Sequence, residues 1–249
     1  MRSLVILIFS ITILSIEAQE KNELEIGIEL FEIGEFDRAK NVFKKLTKNA
    51  DAYYYLGLIH DPEFNRTPFS DDFILYDKPN EKLTQSYYRK AADLGNIYAN
   101  FQLGKYYQTL YLRRQNWKRG DKFYRKAKGQ LEEPANNDDW LANYMMAIVV
   151  ENNKKPYGER ALVLLEEEAK KGDRWAQFYM GRSVSQWMCR KDKCRDYANA
   201  YAWFVTAATQ GSYHAKFYLF HLMQIMQDHE IKKGEKLAKE YLSKYVIQD

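Results

Sequence analysis

The chain is poor in the residues that build metal and redox centres, with two cysteines and four histidines in 249 residues. Cys189 and Cys194 flank Arg190-Lys191-Asp192-Lys193, whereas a structural zinc site needs about four ligands and a redox pair favours Cys-x-x-Cys spacing. His60, His214, His221 and His229 bring no acid into a His-Glu-x-x-His pattern. The seven-residue spacing of His214 and His221 puts them on one helical face, where they are expected as surface or groove residues. Asp71, Asp72 and Asp77 lack the spacing and glycine of a calcium loop. Gly-x-Ser-x-Gly, phosphate-binding glycine loops and dinucleotide fingerprints are all missing. No metal and no cofactor are therefore expected. A hydrolase acting on cell-wall fragments or β-lactams would need a nucleophile or paired carboxylates, and no pattern supplies them. The net charge of +4 is too mild to imply nucleic acid.

Long apolar runs are equally scarce. One extends from Leu4 to Ile16, broken only by Ser10, Thr12 and Ser15. It follows Met1-Arg2-Ser3 and precedes Glu17-Ala18-Gln19, the order of a secretory signal peptide. Residues 1–18 are expected to be this signal, and 19–249 an exported chain with no integral membrane segment. In an oxidising compartment Cys189 and Cys194 are expected to form a local disulfide, worth about 2 kcal/mol in the chain-entropy model.

What the chain does contain is repetition. The pattern Ala-x-(Tyr/Phe)-x-(Leu/Met)-(Gly/Ala) begins at Ala52, Ala99, Ala142, Ala176 and Ala215, in steps of 47, 43, 34 and 39 residues. The last copy departs from the pattern at Phe220. Such spacing is that of a two-helix repeat stacked into a solenoid. Gly95, Gly172 and Gly211 each precede a motif and follow a helix-forming run, as helix C-terminal glycines do. The third copy instead follows Pro134-Ala135-Asn136-Asn137-Asp138-Asp139. Pro62, Pro68 and Pro79 mark an insertion over about residues 61–80. Within it, Asn65-Arg66-Thr67 is a glycosylation sequon only in a eukaryotic host.

These copies resemble the Sel-one-like repeat family, whose helices end Ala-Ala-x-x-Gly before an Ala-x-x-x-Leu-Gly. The closest match is Asp196-Tyr197-Ala198-Asn199-Ala200-Tyr201-Ala202-Trp203-Phe204 running to Ala207, Ala208 and Gly211. Residues 22–48 resemble the related tetratricopeptide unit through Gly27, Leu30, Gly34, Phe36, Ala39 and Phe43. The resemblance implies an all-α, right-handed solenoid of about six antiparallel helix pairs. It also implies a bacterial host, the periplasm and a protein-binding role, in envelope assembly, signalling, host interaction or toxin immunity.

Two surfaces are candidates for binding. The motif's third residue is aromatic every time: Tyr54, Phe101, Tyr144, Phe178 and Phe217. With Tyr98, Trp175 and His214 before the motifs and Lys105, Arg182 and His221 after them, these residues suit a groove for a protein partner. Packing between repeats would use the same rings. The second surface is the basic run of Arg113, Arg114, Lys118, Arg119, Lys122 and Arg125. It suits an acidic protein, an anionic glycan or a lipid headgroup. Alternatively it is a solvated face balanced by nearby acids such as Asp138, Glu166 and Glu168. Trp117, Tyr124 and Ala127 are expected to turn inward behind it.

Overall fold

The computed structural model describes residues 18–62, 64–67, 70–74, 80–109, 114–149, 157–187 and 196–246. Residues 1–17 of the expected signal, Cys189, Cys194 and Arg113 lie outside them. So does part of the 61–80 insertion. The first helix, α1, covers residues 18–32. It is followed by α2 (Phe36–Phe43), α3 (Ala50–His60), α4 (Glu81–Asp93), α5 (Ala99–Thr109) and α6 (Arg114–Asn136). The remainder are α7 (Trp140–Val149), α8 (Tyr157–Lys170), α9 (Arg174–Arg182), α10 (Tyr197–Thr209), α11 (Tyr213–Met223) and α12 (Asp228–Tyr245). Helices α2 to α10 each pack on the next in the chain, so that antiparallel pairs stack into the expected α-solenoid. Among the described residues, no helix is long and apolar enough to cross a membrane. The insertion adds two antiparallel strands, β1 (Arg66–Thr67) and β2 (Ser70–Ile74), to an otherwise helical chain.

Each motif position has a fixed mechanical role. All five motif alanines are fully buried. Three residues before four of them, a polar side chain caps the helix: Asn49, Asp139, Asp173 and Ser212 accept from the amides of Ala52, Ala142, Ala176 and Ala215. Each cap satisfies an amide left open at a helix start and contributes about 1 kcal/mol. The sixth position seats a ring. A Cβ at Gly57, Gly104 or Gly181 would collide with Tyr88, Tyr124 or Phe204 from the paired helix, and Gly27 meets Phe43 in the same way. Absence of a side chain there lets the two axes approach, with an aromatic filling the seam.

Phe220 occupies that seat in the last copy, and the pairing changes accordingly. Phe220 is 58% exposed, and α12 packs chiefly on α10, where Gly234 receives the ring of Tyr201. The same device is used on the other side of the seam.

The turn before α7 lacks glycine but keeps the geometry. Asp138 adopts φ 64°, where Gly34, Gly95, Gly172 and Gly211 adopt φ 89° to 101° at the other turns. Aspartate tolerates the left-handed region better than most residues. Gly95 isolates the backbone term, because nothing lies within 4 Å of a Cβ built there. Gly95→Ala is expected to cost about 1–2 kcal/mol from φ alone, read as a lower denaturation midpoint with an unchanged denaturant slope.

The solenoid curls until its ends meet. Arg174, at the start of α9, donates to Glu29 and Glu32 of α1, and Trp175 Nε1 donates to the same buried Glu32. The Phe31 ring stacks on Trp175 at 6.1 Å and on Phe64 at 6.0 Å. The open face of Gly34 is covered by Tyr213 of α11. Two hydrophobic cores result, one in the first half and one in the second. Tyr98, Trp175 and Phe217 pack against both.

Candidate functional site

Closure decides where the aromatic stripe lies. Tyr54, Phe101, Tyr144, Phe178, His214 and His221 are buried, while Tyr98, Lys105, Trp175, Arg182 and Phe217 are partly buried. Phe178 and His214 are interior residues. His214 is only 1% exposed, in place of the surface or groove position expected from its spacing, because Phe31, Phe36, Phe64, Trp175 and Phe178 surround it. His60 is buried too, and His229 is exposed.

Four stripe and flank residues converge on one cavity. Phe101, Lys105, Tyr144 and Arg182 line a space of about 290 Å³ together with Gln102 and Tyr179. A smaller space of about 140 Å³, lined by Tyr54, Trp140 and Trp175, shares Phe64 and Tyr179 with it. Burial holds the Tyr144 and Tyr179 hydroxyls above the usual phenol range, so both rings stay neutral at physiological pH. Gln102, Met145 and Tyr179 are the fourth residues of their motifs. Sequence reasoning followed the third position and the flanking residues and passed over the fourth. The useful signal was that adjacent third and fourth residues both face the inside of the curl.

The insertion has a structural task. The Asn65 side chain donates to the carbonyls of Leu58, Ile59 and Asp61 at 3.0, 3.0 and 2.7 Å, closing the end of α3. Its amide is buried and engaged, so the sequon offers no accessible acceptor. Phe64 is thereby directed between α1 and α11, against Phe31 and His214.

On α6, Lys118, Arg119, Lys122 and Arg125 are exposed, as expected; the Arg114 side chain is outside the described set. Trp117 is 42% exposed rather than turned inward, whereas Tyr124 and Ala127 do pack inward. Three acids expected to balance this run are engaged elsewhere: Asp138 with Arg160, Glu166 with Lys170 and Glu168 with Lys171.

Helix pairs, glycine seats and capped motif alanines define a helical-repeat solenoid. No protein-family model and no curated protein matches the chain. Solved structures similar to it include two helical-repeat proteins. One is a protective antigen of uropathogenic Escherichia coli displaying an SLR fold, at 20% identity and a TM-score of 0.37. That match covers 91% of this chain and 46% of the antigen, so the chain spans about half the antigen's length. The other is a Sel1 repeat protein from Oxalobacter formigenes, at 24% identity and a TM-score of 0.35, covering 89% of this chain and 85% of that one.

Proposed function

We propose that the chain is an exported helical-repeat adaptor that binds another protein of the cell envelope through the concave side of its solenoid. The observation that carries this reading is the convergence of Phe101, Tyr144, Tyr179, Lys105 and Arg182, from three successive motif helices, on one cavity. Rings with adjacent cations bury area at low entropic cost and favour protein recognition. The described lining residues include no serine, cysteine or carboxylate, which supports binding over the hydrolytic reading. Crosslinked affinity capture of the tagged chain from its own host's envelope tests the proposal. A single stoichiometric partner is expected, and its identity sorts assembly, signalling, host interaction and toxin immunity. Recovery of no protein, with the bait folded and exported, would sink the reading.

The exposed cations of α6 favour a second reading, a binder of anionic glycan or lipid. Trp117 stands exposed beside Lys118 on that helix. This reading predicts retention on anionic vesicles at low salt that collapses at physiological salt. It also predicts loss of retention in a Lys118→Glu, Lys122→Glu double variant. Retention indifferent to both would remove it.

A further inference from the structure

The cavity framed by α5, α7 and α9 is chemically one-sided. At about 290 Å³ it lies near the lower end of small-molecule sites. Its walls are flat and apolar. Tyr144 and Tyr179 meet edge to face at 4.9 Å, and Phe101 lies 5.9 Å from Tyr124. Met145 and Ile148 complete the apolar side.

The polar side is cationic. Arg182 and Lys105 both line the cavity, and none of its described lining residues is acidic. The Arg182 guanidinium lies 5.8, 5.5 and 5.5 Å from the ring centroids of Phe178, Tyr179 and Tyr218. Ring faces attract the cation but accept little from its five N–H donors. Among the described residues no carboxylate pairs with it. Gln102 is buried, and its Nε2 donates to the Tyr54 hydroxyl at 3.1 Å. Among the described residues the other end of that amide, Oε1, has no partner, and Gln102 lines the same cavity. Arg182 is partly buried, so its guanidinium is a cation on the wall of an apolar cavity with no acid among the described lining residues, an arrangement that favours an anionic ligand.

We propose that this cavity binds a small free carboxylate with a flat or branched apolar body. The carboxylate accepts charge-assisted hydrogen bonds from Arg182. The body lies against Tyr144 and Tyr179. A cationic ligand is repelled by Arg182 and Lys105, and a neutral one leaves the guanidinium unanswered. A small-molecule occupant here takes the place of a protein side chain in the cavity that carries the adaptor reading, so calorimetry on the purified chain tests it separately from capture of a protein partner.

Titration calorimetry on the whole chain tests it with three probes of one size: 3-phenylpropionate, its amide and 2-phenylethylammonium. Saturable binding of the acid is expected, with the amide and the ammonium about tenfold or more weaker. Arg182→Met, which keeps volume and removes charge, is expected to abolish that preference, and a thermal melt confirms that the variant is folded. Gly-Gly-Phe carries the same carboxylate on a chain and is expected to bind more weakly, since little room is left for preceding residues. Equal binding of the three probes, or none at about 10 mM, would overturn the proposal whether or not the variant folds. Tighter binding of Gly-Gly-Phe than of 3-phenylpropionate would overturn the assignment to a free small molecule.

Discussion

Phe178→Ala lowers the unfolding free energy by about 3–5 kcal/mol, the largest effect expected from a single truncation here. Phe178 is 1% exposed. Its ring lies 5.7 Å from Trp175, 5.0 Å from Tyr218, 6.0 Å from Phe204 and 5.8 Å from His214. It therefore ties α9 to α10, to α11 and to the seam between first and last repeats. Removing it forfeits the transfer energy of a buried ring and leaves a cavity whose walls belong to three helices, which limits collapse. In a chain of this size the melting temperature should fall by roughly 10 °C. Phe217→Ala serves as the comparison, because Phe217 is only partly buried and should cost about half as much. A Phe178→Ala variant within about 1 kcal/mol of the parent would place the ring on the binding surface and defeat the core assignment.

That prediction shows why part of the architecture was legible and part was not. The motif alanines, the glycine seats and the turns are local devices whose spacing repeats, so a sequence pattern exposes them. The caps at Asn49, Asp139, Asp173 and Ser212 were equally available, three residues before each alanine, and would have extended the motif. Asp138 hid a turn because its conformation, not its residue type, is what repeats. The role of the third motif residue could not be read at all. An open solenoid presents that position on its concave face, whereas here α1 and the Phe64 insertion close over it. Closure depends on Arg174 and Trp175 meeting Glu32, more than a hundred positions apart in the chain. No periodicity records that meeting. The cavity shares this origin. Its cations were flagged individually, but their common destination depends on the curvature of the stack.

The central histidine provides the second large effect, and its sign follows from burial. His214 is held at about pKa 3, well below its usual 6.5, first by loss of hydration and then by the charge of Arg182. Among the described residues neither ring nitrogen has a hydrogen-bond partner. The groups around it are the rings of Phe31, Phe36, Phe64, Trp175 and Phe178. The nearby Glu32 carboxylate is engaged by Arg174 and Trp175. Above pH 6.5 the imidazole is neutral in both folded and unfolded chains, and its titration contributes nothing. Below that value the unfolded chain takes up a proton and the folded one does not, so stability falls as pH drops toward 3. The loss attributable to this one group is about 2 kcal/mol at pH 5 and about 3 kcal/mol at pH 4. His214→Phe suits the aromatic surroundings and removes two unsatisfied nitrogens, so it should be no less stable at pH 7. Its denaturation midpoint should then change less than the parent's between pH 7 and pH 4, and the difference between the two curves isolates the histidine. Parallel curves would mean that His214 is hydrated or partnered in solution, and that the seam between α1 and α11 opens to water.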